Sequence, residues 1–207
     1  MPIDLAALLA PAHTAIVMNE CQEGVIGAAS NLPELAKAAR QGMVPRLAAL
    51  VRAARAAGCT VVHGIAMRRP DGRGANANAR LFAAAARSPV QLTPGTPAVE
   101  VVAEIGVEPS DLVVPRFHGL SPWEGTELDS LLRNLGIRTV IAAGVSVNVA
   151  VMNLAFDAVN AGYQVVIPRD CVAATPPEYA DAVFAHTLGF IATLVESEDA
   201  IGAWRRA

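Results

Sequence analysis

The sequence predicts a three-layer α/β/α fold, in which helices cover both faces of a mostly parallel, Rossmann-like sheet of about six strands. Short runs rich in Val, Ile and Thr alternate along the chain with stretches whose apolar residues recur at helical spacing. Three of the helical stretches end at a glycine shortly before the next apolar run, at Gly58, Gly136 and Gly162. This alternation is typical of strands joined by crossover helices.

In the first half of the chain, residues 14–18 and 60–65 are predicted to be buried parallel strands. Helical spacing connects them from about residue 35 to residue 57. Residues 67–80, MRRPDGRGANANAR, have turn chemistry and form a predicted long loop at the carboxyl edge of the sheet. Such a loop is either a binding loop or lid, or a solvated arginine-rich segment.

The second half of the chain continues the same alternation. Thr126, with Asp129 three positions later, resembles a capping box at the start of a helix that ends at Gly136. The remaining predictions are strands over residues 112–115, 139–144, 164–167 and 190–195 and helices over residues 149–161 and 175–188.

Composition and charge narrow the class of protein. We expect one domain over residues 1–207, because no linker-like segment divides the chain. Hydrophobic residues make up 53% of the chain, yet no apolar run is long enough to span a bilayer. The net charge is −3 and the arginines are scattered, which excludes a nucleic-acid stripe and favours a small-molecule partner.

Cysteine usage and the first strand argue against disulfides, metals and cofactors. The cysteines at positions 21, 59 and 171 fit neither a disulfide framework nor metal-ligand spacing. The N-terminus lacks the pattern of a signal peptide. Together these observations lead us to expect a cytoplasmic protein. His63 has no second histidine nearby, which argues against a metal. No G-x-G-x-x-G follows the first strand, so no dinucleotide cofactor is expected.

The stretch TVIAAGVSVNVAVM, residues 139–152, is the predicted centre of the functional site. An apolar run ends at Gly144 and passes directly into a helical run that begins at Asn148. A strand–turn–helix junction of this kind directs peptide N–H groups beyond the carboxyl end of the strand, where open parallel sheets bind ligands.

These residues resemble the isochorismatase-like hydrolase superfamily, which includes cysteine hydrolases. The resemblance rests on Glu20 followed by Gln22 after the first strand, on Arg116 after the third, and on the turn from Gly144 to Asn148. It implies an active site at this edge, an oxyanion hole at a commonly cis peptide before Ser146, and a homo-oligomer.

The resemblance also implies a catalytic triad of aspartate, lysine and cysteine, and this chain departs from it at all three positions, which hold Glu20, Arg116 and Ala150. Alanine has no nucleophilic atom, so a covalent route through residue 150 is excluded. Arg116 stays protonated, so it can clamp a carboxylate or stabilise charge but cannot exchange protons. Glu20 keeps a carboxyl group suited to general acid–base catalysis.

Six further residues are expected to contact the substrate because they follow strand ends or lie in the turn. They are Gln22, His118, Trp123, Val145, Ser146 and Asn148. His118 follows Arg116 by two residues, whereas Trp123 either closes the pocket or packs beneath the loop. The three cysteines are interpreted as buried structural residues, although Cys171 lies at the correct edge of the sheet.

Three functions remain open. The first is hydrolysis without a covalent intermediate, with Glu20 as the acid and Arg116 as the clamp. It contains a conflict, because Arg116 lowers the pKa of a neighbouring carboxyl whereas a useful acid needs a pKa raised by burial. The second is a catalytically silent relative that binds a small molecule or assembles, and the third is amide hydrolysis through Cys171 or a bound water.

Overall fold

The computed structural model describes residues 3–206, so the first two residues of the N-terminal segment considered above lie outside the described part. Within this part, seven strands form one sheet in which every strand pair is parallel. The strands are β1 (Thr14–Asn19), β2 (Thr60–Ala66), β3 (Leu112–Arg116), β4 (Thr139–Val145), β5 (Gln164–Pro168), β6 (Val172–Ala173) and β7 (Thr193–Val195).

The strand order is β3-β2-β1-β4-β5-β7, and β6 pairs with the end of β4. The predicted fold class and the six predicted strands are confirmed, and the strand that sequence reasoning missed is the two-residue β6. The last predicted strand is shorter than expected, because a 3₁₀ turn occupies Leu188–Phe190.

Nine α-helices flank this sheet over the same described residues. They are α1 (Leu5–Leu8), α2 (Glu23–Ile26), α3 (Pro33–Ala38), α4 (Val44–Ala57), α5 (Arg80–Arg87), α6 (Leu128–Asn134), α7 (Met152–Asn160), α8 (Tyr179–His186) and α9 (Ser197–Arg205). The single helix predicted over residues 35–57 is observed as α3, a π turn at Ala39–Met43 and α4. It ends where expected, at Gly58, whose φ of 86° suits a residue without a Cβ.

Two apolar layers hold the helices against the sheet. Alternate residues of β1 face opposite sides: Ile16 and Met18 pack with α4 and α9, whereas Ala15 and Val17 pack with α6 and α7. Aliphatic side chains make up most of both layers, in keeping with the low aromatic content of the sequence, and the buried aromatic residues are Trp204 in one layer and Tyr163 and Phe184 in the other. None of the helices in the described residues has the length and apolar character needed to cross a membrane.

The predicted capping box at the start of α6 is wrong. The Oγ1 atom of Thr126 accepts a hydrogen bond from the amide of Leu128 instead of the amide of residue 129. The carboxylate of Asp129 points away from the cap, because it accepts hydrogen bonds from Arg133 at 2.9 Å and from the hydroxyl of Tyr163 at 3.1 Å.

Candidate active site

The carboxyl ends of β1, β3 and β4 meet at a cavity of about 200 Å³. The register brings them together, because Asn19 of β1 lies between Gly64 of β2 and Gly144 of β4. The next residue, Glu20, lines the cavity together with Arg116 at the end of β3 and with Ser146 and Ala150 beyond β4. The cavity therefore lies at the edge of the sheet where the sequence predicts the active site.

Glu20 leaves the strand in an unusual backbone conformation. Its φ of 55° lies in the left-handed region, which a residue with a side chain rarely adopts. The amide of Glu20 still bonds to the carbonyl of Gly64 at 2.9 Å, so the turn begins directly at the end of the sheet. Outliers of this kind are concentrated at functional sites, because the surrounding structure must stabilise them.

Arg116 is held from two sides. One Nη atom donates to the carbonyl oxygens of Gly119 and, at 3.3 Å, of His118, and the other donates to the carboxylate of Glu20. The side chain is only 9% exposed. Its guanidinium group is therefore fixed in place and is already bound to the carboxyl group of Glu20.

Burial raises the pKa of Glu20 above its ordinary value, while the charge of Arg116 and its hydrogen bond act in the opposite direction. Desolvation is the larger effect, because the carboxyl group lies at the base of a largely apolar cavity. The conflict noted in the sequence is thus resolved in favour of burial. Glu20 keeps its proton to a higher pH than an exposed glutamate does.

The turn after β4 forms the opposite wall. Gly144 has a φ of 95°, and the Val145–Ser146 peptide is cis. The carbonyl of Ser146 then accepts hydrogen bonds from the amides of Val149 at 3.1 Å and Val151 at 3.0 Å, within a π turn that continues into α7. Ser146, Val149 and Ala150 face the cavity, so the amino end of this helical segment borders the site.

The structure does not bring Gln22 to the cavity. Its side-chain amide donates to the carbonyls of Ala66 at 2.9 Å and Ala98 at 3.2 Å, and its oxygen accepts from the amide of Ala66 at 2.8 Å. The side chain is fully buried, and these bonds use its polar atoms. The expectation that Gln22 contacts the substrate is corrected: it ties the end of β2 to the segment around Ala98.

Three other expected contact residues also lie outside the cavity lining. Trp123 packs edge-on against Tyr163, with 5.4 Å between the ring centroids, so of its two interpretations the packed one holds. Val145 is fully buried in the core of the sheet. Asn148 does not line the cavity, and its Oδ1 atom is buried without a protein partner. Of the predicted contacts, His118 and Ser146 do line it.

Sequence reasoning missed most of the cavity wall. Apolar side chains come from the segment before α4, from α5 and from the segment after it; they include Leu32, Leu35, Leu81, Phe82 and Leu92. Arg68, from the loop after β2, adds a second arginine to the lining. The apolar pair Leu81–Phe82 directly after the turn-rich loop was the available signal.

The three cysteines lie outside this lining and are buried. Burial raises the pKa of Cys21 and of Cys59 to about 12 and raises that of Cys171 further still. Their interpretation as buried residues is confirmed, and a thiol with so high a pKa is a poor nucleophile.

His63 is a packed residue of β2. Its Nε2 atom lies 3.0 Å from the carboxylate of Asp111, and the side chain is 1% exposed. Among residues 3–206, no cluster of three or more His, Cys, Asp and Glu side chains is arranged to hold a metal ion.

Comparison with known proteins identifies the class to which this fold and site belong. Residues 14–199 match the model of the isochorismatase domain, so the chain belongs to the isochorismatase family. It is 27% identical over 213 residues to the ureidoacrylate amidohydrolase RutB of Enterobacter sp. (strain 638), a match that covers 95% of this chain and 92% of that protein. Other curated relatives match over less than half of their own length.

Solved structures agree with the family. The N-carbamoylsarcosine amidase from Thermoplasma acidophilum is 26% identical, with a TM-score of 0.70 and coverage of 90% of this chain and 97% of that chain. A cysteine hydrolase from Pseudomonas syringae pv. phaseolicola 1448A has a TM-score of 0.79 over 100% of this chain and 96% of its own. At 21% identity, the latter likeness concerns the fold alone.

Proposed function

We propose that this chain hydrolyses a small molecule with water as the nucleophile, with Glu20 as the general acid and base and Arg116 as its charge partner. One observation carries the proposal: the Glu20–Arg116 pair faces the cavity that also contains the turn residues Ser146 and Ala150. A collapsed or filled pocket would favour a silent protein instead. Two relatives named above are an amidohydrolase and an amidase, which supports hydrolysis as the class of reaction.

The acid–base role follows from the environment of Glu20. Because burial raises the pKa of its carboxyl group, the environment of Glu20 favours the protonated form, which can donate its proton to the leaving atom of the substrate. The carboxylate that results then takes a proton from the attacking water, and the carboxyl group is restored. Arg116 cannot exchange protons, so its part is to position the carboxyl group and to stabilise the negative charge formed on it.

The absence of a covalent step follows from residue 150. Ala150 lines the cavity at the position where the family resemblance places the nucleophilic cysteine, and its methyl group cannot attack a substrate. Cys171 cannot replace that cysteine, because it is fully buried in the apolar layer on the other side of the turn. Water in the cavity is the remaining nucleophile.

The test is turnover of a panel of vinyl ethers, amides and ureides by the wild type, by Glu20→Gln and by Ala150→Gly. We expect Glu20→Gln to lower kcat by about 100-fold or more on any substrate found, since general acid–base catalysis contributes on that order. Ala150→Gly should keep turnover within about threefold, because residue 150 takes no part in bond formation. Normal turnover by Glu20→Gln would remove the proposal.

The pH profile separates an acid from a base. As an acid in the rate-limiting step, Glu20 must be protonated, so kcat/KM should fall as the pH rises through its raised pKa. An increase of kcat/KM over the same range would assign Glu20 to proton abstraction only and contradict this order of steps.

A catalytically silent, ligand-binding relative is the second candidate. It is favoured by the direct pairing of Glu20 with Arg116, which leaves neither charge free, together with the missing nucleophile at Ala150. Tight binding of a panel compound without turnover by the wild type would favour this candidate over hydrolysis.

A further inference from the structure

The loop after β2 places one arginine in the cavity and its neighbour outside. The amide of Arg68 donates to the carbonyl of Leu92 at 2.7 Å, which fixes the start of the loop, and the Arg68 side chain lines the cavity. Arg69 points outward, is 58% exposed and pairs with Asp71 at 2.8 Å. Two consecutive residues of the same type therefore have opposite environments.

The guanidinium group of Arg68 has no anionic partner. Within residues 3–206, no carboxylate lies within ion-pair distance of it and its side chain makes no hydrogen bond to the protein. It lies against the backbone of its own loop, since a Cβ added at Gly72 would be 3.1 Å from its Nη2 atom. An arginine is always charged, so this positive charge persists at every ordinary pH.

The other arginine of the cavity is already engaged by hydrogen bonds. Arg116 also lines the cavity, and its donors bind the carboxyl group of Glu20 and the carbonyl oxygens of His118 and Gly119. Because Arg116 is committed to Glu20 and to two backbone carbonyls, it is not free to hold a substrate carboxylate, as the sequence had suggested. Arg68 is the charge that remains for a ligand.

The other residues that line the cavity indicate the chemistry of the uncharged part of the ligand. Its walls are largely apolar, with leucine and phenylalanine side chains that include Leu35, Leu81, Phe82, Leu92, Phe117 and Leu120. An unpaired charge beside apolar walls is unfavourable, and a ligand anion would remove that cost while its body covers the walls. A volume of about 200 Å³ restricts the ligand to a small molecule.

We propose that Arg68 is the anion anchor of this site and that its ligands are small monocarboxylates with an apolar body. One unpaired guanidinium matches one carboxylate, which it can bind through two parallel hydrogen bonds. That these ligands are substrates rests on the function proposed above; that they bind through Arg68 does not. Arg68 is thus a specificity-determining residue, distinct from the Glu20–Arg116 pair.

The test compares acids with their neutral isosteres on three proteins. Benzoate, 3-phenylpropionate and hexanoate are titrated calorimetrically against benzamide, 3-phenylpropionamide and hexanamide, using wild type, Arg68→Gln and Arg69→Gln. We expect the wild type to bind at least one acid about tenfold more tightly than its amide. Arg68→Gln should lose that preference and keep its amide affinity, whereas Arg69→Gln should behave as wild type. Equal thermal midpoints of the two variants exclude misfolding as the cause.

Three results would overturn the proposal: no acid of the panel binds, the amides bind as tightly as the acids, or Arg68→Gln retains the preference. The readout does not need turnover, so the two proposals fail separately. Arg68-dependent binding of acids without any hydrolysis would remove the proposed reaction and leave the anchor. Hydrolysis that changes neither with Arg68→Gln nor with the charge of the substrate would remove the anchor and leave the proposed reaction.

Discussion

Replacement of Asp111 by alanine should destabilise the fold strongly. The carboxylate of Asp111 is 1% exposed and accepts hydrogen bonds from Arg55 of α4 at 2.5 Å and 3.2 Å, from the amide of Glu108 at 2.9 Å and, by geometry, from His63 at 3.0 Å. It therefore joins α4 and β2 to the segment that enters β3, the strand that carries Arg116. In Asp111→Ala, Arg55 remains an 11% exposed cation without this partner.

The expected loss of stability depends on the hydrogen-bond and ion-pair partners that Arg55 keeps in Asp111→Ala. Loss of one partner of a buried ion pair costs about 3–5 kcal/mol. Arg55 retains the carbonyls of Ile105 at 3.4 Å and Gly106 at 3.1 Å and the carboxylate of Glu108 at 3.4 Å, so we expect the lower end, about 3 kcal/mol.

Urea unfolding measures this difference against a matched control. With a slope of about 3 kcal/mol per molar urea for a chain of this size, the midpoint should fall by about 1 M in Asp111→Ala. The control, Asp71→Ala, breaks the exposed pair with Arg69 and should leave the urea midpoint nearly unchanged, because water screens the charges of that pair. Equal midpoints for the two variants would refute the view that the buried carboxylate holds these elements together.

Three further predictions concern pH, a glycine and the thiols. Burial lowers the pKa of His63, so below about pH 6.5 the unfolded chain binds a proton that the folded chain does not, and the free energy of unfolding should fall as the pH drops. Urea titrations at several pH values measure the free energy of unfolding. They use the Glu20→Gln variant, because the raised pKa of Glu20 changes stability with pH in the opposite direction. A free energy of unfolding that does not change with pH would contradict the prediction. Gly144→Ala should prevent folding or lower the free energy of unfolding by more than about 3 kcal/mol, because a Cβ there would meet the backbone of Asn19. Gly162→Ala is the control, since Gly162 has a similar φ of 93° but nothing within 4 Å of an added Cβ, and it should lower the free energy of unfolding by about 1–2 kcal/mol. Thermal unfolding measures both variants. The three buried cysteines should resist a disulfide reagent at pH 7.5 for hours and react only in denaturant, and rapid labelling of the folded protein would disprove this.

Much of the fold could be predicted because buried parallel strands have a distinctive sequence. β1, β2 and β4 are short runs rich in branched aliphatic residues, bounded by polar or glycine positions. The helix α5 was not predicted, because four of its eight residues are alanines and it follows a loop full of turn residues. The strand β6 has two residues, too few for any period to be visible.

The candidate site was only partly predictable. Residues that directly follow a strand, such as Glu20 and Arg116, could be placed because parallel strands end at one edge. Beyond the strand the alternation of side chains fails: Glu20 adopts a left-handed conformation, and Gln22 then starts α2 with its amide turned toward Ala66. The inward direction of Arg68 depends on loop geometry, for which the sequence has no periodic signal.

The two charges at the base of the cavity limit the chemistry that the site can perform. Of the ionisable groups in direct contact there, Glu20 can give and take a proton and its pKa is raised by burial, whereas Arg116 cannot exchange protons. A covalent route needs an attacking side chain as well as a group to remove its proton, and Ala150 supplies no attacking atom. A single carboxyl group that alternately gives and takes one proton is nevertheless sufficient for direct addition of water. On the proposal made above, the retained carboxyl group and the missing nucleophile therefore both fit a reaction in which water attacks the substrate directly.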